Sequence, residues 1–182
     1  MTFHTVQEIF SVKRIALNKM EQITRGLTSS QAQFHPTTGG WSIQEIVEHV
    51  SIVDTSIFKL VTSLLKKTEE AGKTVEVNMP MEISILEIAE RSKTEKYTAA
   101  ESALPTGKVA ISDSIKILED IQVQLFTLQP RLEAIDLTHL TFAHRIFGTL
   151  TLGQWLVFFG FHEQRHLGQI EEIFNSREFI HV

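Results

Sequence analysis

Apolar residues recur at spacings of three and four in four long segments, and no segment of comparable strength alternates with the period of two expected of a half-buried strand. From Thr5 to about Arg25 the stripe is Ile9, Val12, Ile15 or Ala16, Met20 and Ile23. In the second segment Ile46, Val50, Val53, Ile57, Leu60 and Leu64 share a face, and the run ends near KKTEEAGK. In the third, Ile111, Ile115, Leu118, Ile121, Leu125, Leu128 and Leu132 stand nearly in heptad register. The fourth begins at Thr151 and runs to about Phe174. Helix-start chemistry agrees with these limits. Thr5 with Glu8, Ser42 with Glu45 and Thr151 with Gln154 each put a hydroxyl N-cap three residues before a carboxylate or amide. Trp41 with Ile46, and Leu150 with Trp155, can close hydrophobic staples.

The connections read differently. GLTSSQAQFHPTTGG is rich in turn formers, with room for one helical turn at SSQAQF. Residues 71 to about 110 are the least regular, with a helical patch at ISILEIAERS and loop chemistry at ALPTGK; AHRIFGT reads as a loop. Four amphipathic helices of about twenty residues or more, with no strand, predict an all-α four-helix bundle formed by residues 1–182 as one domain. The connection between the second and third helices is long enough for a crossover that makes them parallel.

Composition narrows the chemistry. A chain of 182 residues with 42% hydrophobic and 21% charged residues is ordinary for one soluble domain. A net charge of -5 without a basic tract gives no reason to expect nucleic acid. There is no run of eighteen apolar residues and no signal-like N-terminus, so the expected location is cytoplasmic, with no membrane contact. A homodimer is left open. The absence of cysteine excludes disulfides and thiolate ligands, so any metal must be held by His and carboxylates.

The stretch HEQRH, residues 162–166, matches the HExxH pattern of zinc peptidases. On a helix, His162 and His166 present two imidazoles to one side, and Glu163 is the candidate general base; a solvent-exposed helix Glu is the alternative. The pattern is incomplete for a peptidase. Gln169 and Glu172 stand where a metzincin needs Gly and His, and too few residues follow for a second helix to bring a Glu. A third ligand must come from upstream. His49 lies on the apolar face of the second helix, about 10 Å from its start, while the His162/His166 midpoint is about 15 Å from the end of the fourth. The depths coincide if those helices run antiparallel. His4, His35, His139, His144 and His181 fall at termini or in loops. Trp41 and Trp155 are expected to serve staples and core, and Glu45 a cap.

The combination of GGWSIQEIVEHV with TLTLGQWLVFFGFHEQRHLGQIEEI resembles the DinB-like superfamily, at Trp41, Ser42, His49, His162, His166 and Gln169. The resemblance spans most of the chain and is weak between about 70 and 110. It implies a four-helix bundle in which His49, His162 and His166 hold a divalent metal, zinc or nickel being suited to imidazole. Gln169, which continues the stripe, is expected to support a ligand or face the substrate rather than to ligate. The resemblance further implies a metal-dependent enzyme acting on a small molecule, by hydrolase-like chemistry or by transfer of a low-molecular-weight thiol. The alternative is a non-enzymatic metal-binding or stress-response bundle, distinguished by whether a coordination position stays open. A peptidase is the third and weakest reading.

Overall fold

The computed structural model describes residues 2–73, 83–84 and 98–179, with residues 83–84 described in backbone only. In chain order the elements are β1 (Thr2–Phe3), α1 (Val6–Thr24), α2 (Ser29–Ala32), α3 (Ile43–Glu70), β2 (Ile83–Ser84), a 3-10 turn (Glu101–Ala103), α4 (Ile111–Leu132), β3 (Thr141–His144), β4 (Gly148–Thr151) and α5 (Leu152–Phe174). The N-termini form where the sequence places them. Thr5, Ser42 and Thr151 each accept the N3 amide, and Glu8, Glu45 and Gln154 accept the N-cap amide in return. Thr28 and Gln31 build a fourth capping box on the short α2. No side chain caps α4, which starts after Ala110. Its apolar seam, with Leu118, Leu125 and Leu132 fully buried, holds it in place.

The long helices form a ring in which α1 packs on α4 and α5, and α3 packs on the same two. Two apolar clusters fix their directions. One joins Val6 and Phe10 of α1, Ile57 to Leu65 of α3, Ile121 to Leu132 of α4 and Leu152 to Phe159 of α5. The other joins Ala16 to Met20, Ile43 to Val50, Ile115 with Leu118, and Leu167 to Ile173. The early turns of α3 therefore lie beside the late turns of α5, and α3 and α4 run parallel. This is the four-helix bundle with a crossover between its second and third long helices. At Gly160 a Cβ would stand 3.3 Å from the Lys13 backbone nitrogen, so glycine lets α1 and α5 approach closely there.

Three expectations need correction. Strands exist: β1 pairs with β2, and β3 with β4, both antiparallel. Of the β3–β4 hairpin's eight residues only Leu150 is buried, so it leaves no alternating pattern to read. His144 ends β3 rather than lying in a loop. On α1 the alternative between Ile15 and Ala16 resolves to Ala16, 1% exposed, with Ile15 62% exposed. Of the helical patch anticipated at ISILEIAERS, Ile83 and Ser84 form β2 and the rest lies outside the described residues, as does His181.

Candidate metal centre

His49 stands in the second turn of α3, and His162 and His166 occupy successive turns of α5, so the antiparallel packing brings the three together. One ligand atom from each lies within 4.8 Å of the others. His162 Nε2 and His166 Nε2 face each other at 3.2 Å. Two nitrogens bound to one tetrahedral ion at about 2.05 Å would stand about 3.3 Å apart, so this spacing, which also suits an N–H···N hydrogen bond, is compatible with two ligands of one ion.

The other ring nitrogens decide which lone pairs are free. His49 Nδ1 donates to the Ala103 carbonyl at 2.7 Å, and His166 Nδ1 donates to Gln169 Oε1 at 2.7 Å. Both residues therefore keep an unprotonated Nε2. His162 Nδ1 is buried without a hydrogen-bond partner. The bare Nε2 lone pairs of His49 and His166, together with a nitrogen of His162, make a convergent donor set that fits a divalent cation. Burial holds all three rings neutral, which is the ligating form. It lowers His49 below its ordinary value and His166 to about 3, and it pushes His162 well down, with the neighbouring imidazoles adding to the last two.

Among the described residues no fourth His, Asp or Glu joins this set. Aromatic rings border it: Trp41 packs on His49 with centroids 4.7 Å apart, and Phe158 on His162 at 5.8 Å. His49 and His166 are buried, while His162 and Gln169 keep partial exposure. Trp41 thus does more than close a staple. Trp155 donates its indole N–H to the Phe142 carbonyl and packs in the core. Glu45 serves as a cap and also meets His35 at 2.7 Å.

Glu163 has a different setting from either reading of it. It is fully buried, not a solvated helix Glu, and its oxygens are outside the convergent set. Lys13 Nζ bonds both Glu163 Oε1 and, at 2.6 Å, Asp54 Oδ2. Burial raises Glu163 well above its ordinary value, and the Asp54 charge raises it further; burial raises Asp54 too, against the pull of Lys13. Asp54 Oδ1 and Glu163 Oε2 are buried without a hydrogen-bond partner. Glu163 is thus engaged by Lys13 and not by the imidazoles.

Reading the stripes for apolar residues alone overlooked Lys13 and Asp54. The signal was present, because Lys13 lies four after Ile9, Asp54 four after Val50, and Glu163 three before His166. Three charges of mixed sign on inward faces mark a buried ion network. His35 and His139 stay at the surface away from the site.

A three-histidine centre inside a four-helix ring whose second and third long helices run parallel through a crossover defines a class of metal-binding bundle. The family model of the DinB superfamily matches residues 14–170. The chain belongs to the DinB superfamily. It is 27% identical over 150 residues to YuaE of Bacillus subtilis, an uncharacterised protein, covering 82% of this chain and 86% of that one. Among solved structures it is similar to YfiT of Bacillus subtilis, described as a probable metal-dependent hydrolase with an unusual four-helix bundle topology. That match has a TM-score of 0.61 and 17% identity and covers 92% of this chain and 85% of the other. TT2238, a four-helix bundle protein, matches with a TM-score of 0.60 and 16% identity over 92% and 98%. Among the described residues no helix is long and apolar enough to cross a membrane.

Proposed function

We propose that this chain is a metal-dependent enzyme in which His49, His162 and His166 hold a divalent ion, zinc or nickel, and a small-molecule substrate completes the coordination. The observation that carries the proposal is the convergence of three imidazoles with no fourth protein ligand among the described residues, a donor set that leaves a position open. A closed four-ligand site would favour a structural or sensing role instead. When bound, such an ion supplies Lewis acidity towards water, a thiol or a substrate oxygen.

The protein's own groups have separable tasks in this reading. Ala103 and Gln169 take the Nδ1 protons of His49 and His166 and so hold both rings with Nε2 inward. Trp41 and Phe158 pack on His49 and His162 and offer apolar faces beside them, suited to an uncharged or aromatic portion of substrate. Glu163 holds the helices through Lys13 rather than moving protons at the centre. Hydrolase chemistry is supported by the description of YfiT. Thiol transfer fits the same centre, and with no cysteine in the chain the thiol would be a low-molecular-weight co-substrate.

The test is elemental analysis of the purified protein, followed by parallel screens of ester and amide hydrolysis and of conjugation between small thiols and electrophiles. One equivalent of divalent metal and chelator-sensitive turnover in either screen is expected. Casein should not be cut. Protein that takes up no stoichiometric metal, or that turns over equally with chelator, would overturn the proposal.

A further inference from the structure

We infer that Glu48 is a positioning residue for the metal centre: it clamps the crossover segment at residues 106–107 so that the Ala103 carbonyl meets Nδ1 of His49. The inference builds on the proposed role of His49 as a ligand. Glu48 precedes His49 on α3 and is 2% exposed. Its Oε1 accepts the Thr106 amide at 2.9 Å and the Thr106 hydroxyl at 2.7 Å, and its Oε2 accepts the Gly107 amide at 2.8 Å. Among the described residues no Lys, Arg or His is ion-paired with this carboxylate. Donors of the crossover alone satisfy it.

One turn earlier on α3, Gln44 Nε2 donates to the Gly107 carbonyl at 2.8 Å, so α3 reads both polar groups of this residue. Gly107 has a φ of +69°, and a Cβ there would stand 3.4 Å from Glu45 Oε1, so glycine suits both the turn and the close approach. Four residues back along the segment is the carbonyl that His49 needs. Gln44, Glu48 and His49 therefore grip a five-residue stretch, and only one of the three is a candidate ligand.

The physical consequence is control of a tautomer. With the Ala103 carbonyl fixed, the His49 proton stays on Nδ1 and the Nε2 lone pair faces His162 and His166. With the segment released, His49 loses its acceptor, and its ring is free to turn and to carry the proton on Nε2. Partners that orient a metal-bound His in this way are worth roughly 10-fold to 100-fold in metal affinity.

The experiment measures zinc affinity by competition with a chromophoric chelator for wild type, Glu48→Ala and Glu48→Gln. It is read beside the far-UV spectrum and apo melting curve of each, and the 15N shifts of the His49 ring in the metal-free protein. Glu48→Ala is expected to stay helical, to bind zinc roughly 10-fold to 100-fold more weakly, and to show a mixed His49 tautomer. Glu48→Gln, which keeps one accepting oxygen of the same reach, should recover part of the loss. If Glu48→Ala does not fold, Thr106→Val removes one donor to Glu48 and the hydroxyl that accepts the Lys108 amide, and a several-fold loss of zinc affinity is expected there. A merely structural Glu48 would lower the apo melting point while leaving zinc affinity and tautomer at wild type, and that result overturns the inference. Wild type that binds no zinc overturns the metal reading and this inference with it. Wild type that binds zinc, with every folded variant binding equally, overturns this inference alone.

Discussion

Lys13 carries its ammonium into the middle of the bundle, where it is 1% exposed and bonded to two carboxyl groups on other helices. Such a network costs desolvation that its own attraction only partly offsets, so removing one member costs far more than removing the whole. Lys13→Met should cost about 3–5 kcal/mol in urea unfolding, because a carboxylate is left buried without a cation. Replacing Lys13, Asp54 and Glu163 together by Met, Leu and Met should recover most of that loss; a triple variant no more stable than Lys13→Met would refute the account. The imidazoles make a second prediction at this scale. His49→Ala, His162→Ala and His166→Ala should each lose stoichiometric metal, while His35→Ala and His139→Ala should keep it, as read by elemental analysis after dialysis. Retention of metal by His49→Ala would remove α3 from the centre.

Among the elements, α1, α3, α4 and α5 were legible because period and caps act within a few residues; the stripe through Ile46, Val50 and Ile57 needs no knowledge of the fold. The β3–β4 hairpin was not legible. Its order comes from His144, whose Nδ1 accepts the amides of Ile146 and Phe147, and from Gly148, which takes a φ of +75°. The His144 ring packs against Phe147, Trp155 and Phe158, and burial lowers its pKa to about 4. The folded state thus holds its proton less readily than the unfolded chain, where His titrates near ~6.5. The stability this represents is present above about pH 6.5 and is lost as pH falls towards 4. Melting of metal-free protein at pH 7.5, 6 and 5 should show the loss. His144→Asn, which can still accept the turn amides, should show a shallower pH dependence than wild type. Equal slopes would mean that the hairpin does not contribute.

For the whole molecule the question is whether the ion builds the fold or only works in it. Two apolar clusters run the length of the bundle on either side of the centre, and the residues in them are contributed by all four long helices. Such a core should stand without metal, unlike a domain too small to bury one. Chelated protein is expected to remain helical and melt cooperatively. Zinc at a hundred times its dissociation constant should add about 2.7 kcal/mol, or roughly 5–10 °C for a chain of this size. A chelated protein that unfolds outright would make the centre structural.

The sequence by itself determined the helices, their start points and the i, i+4 pairing of His162 with His166, because each depends on neighbours within a turn or two. It also held enough period to put His49 at the depth of that pair once the helix directions were chosen. Only the tertiary structure decided what the charged residues on inward faces do. Lys13 meets Glu163 across 150 positions, His49 meets Ala103 across 54, and Glu48 meets Thr106 across 58. A buried charge is stable only where a partner arrives, and which partner arrives is set by how the helices pack and where the crossover returns, not by any pattern local to the residue.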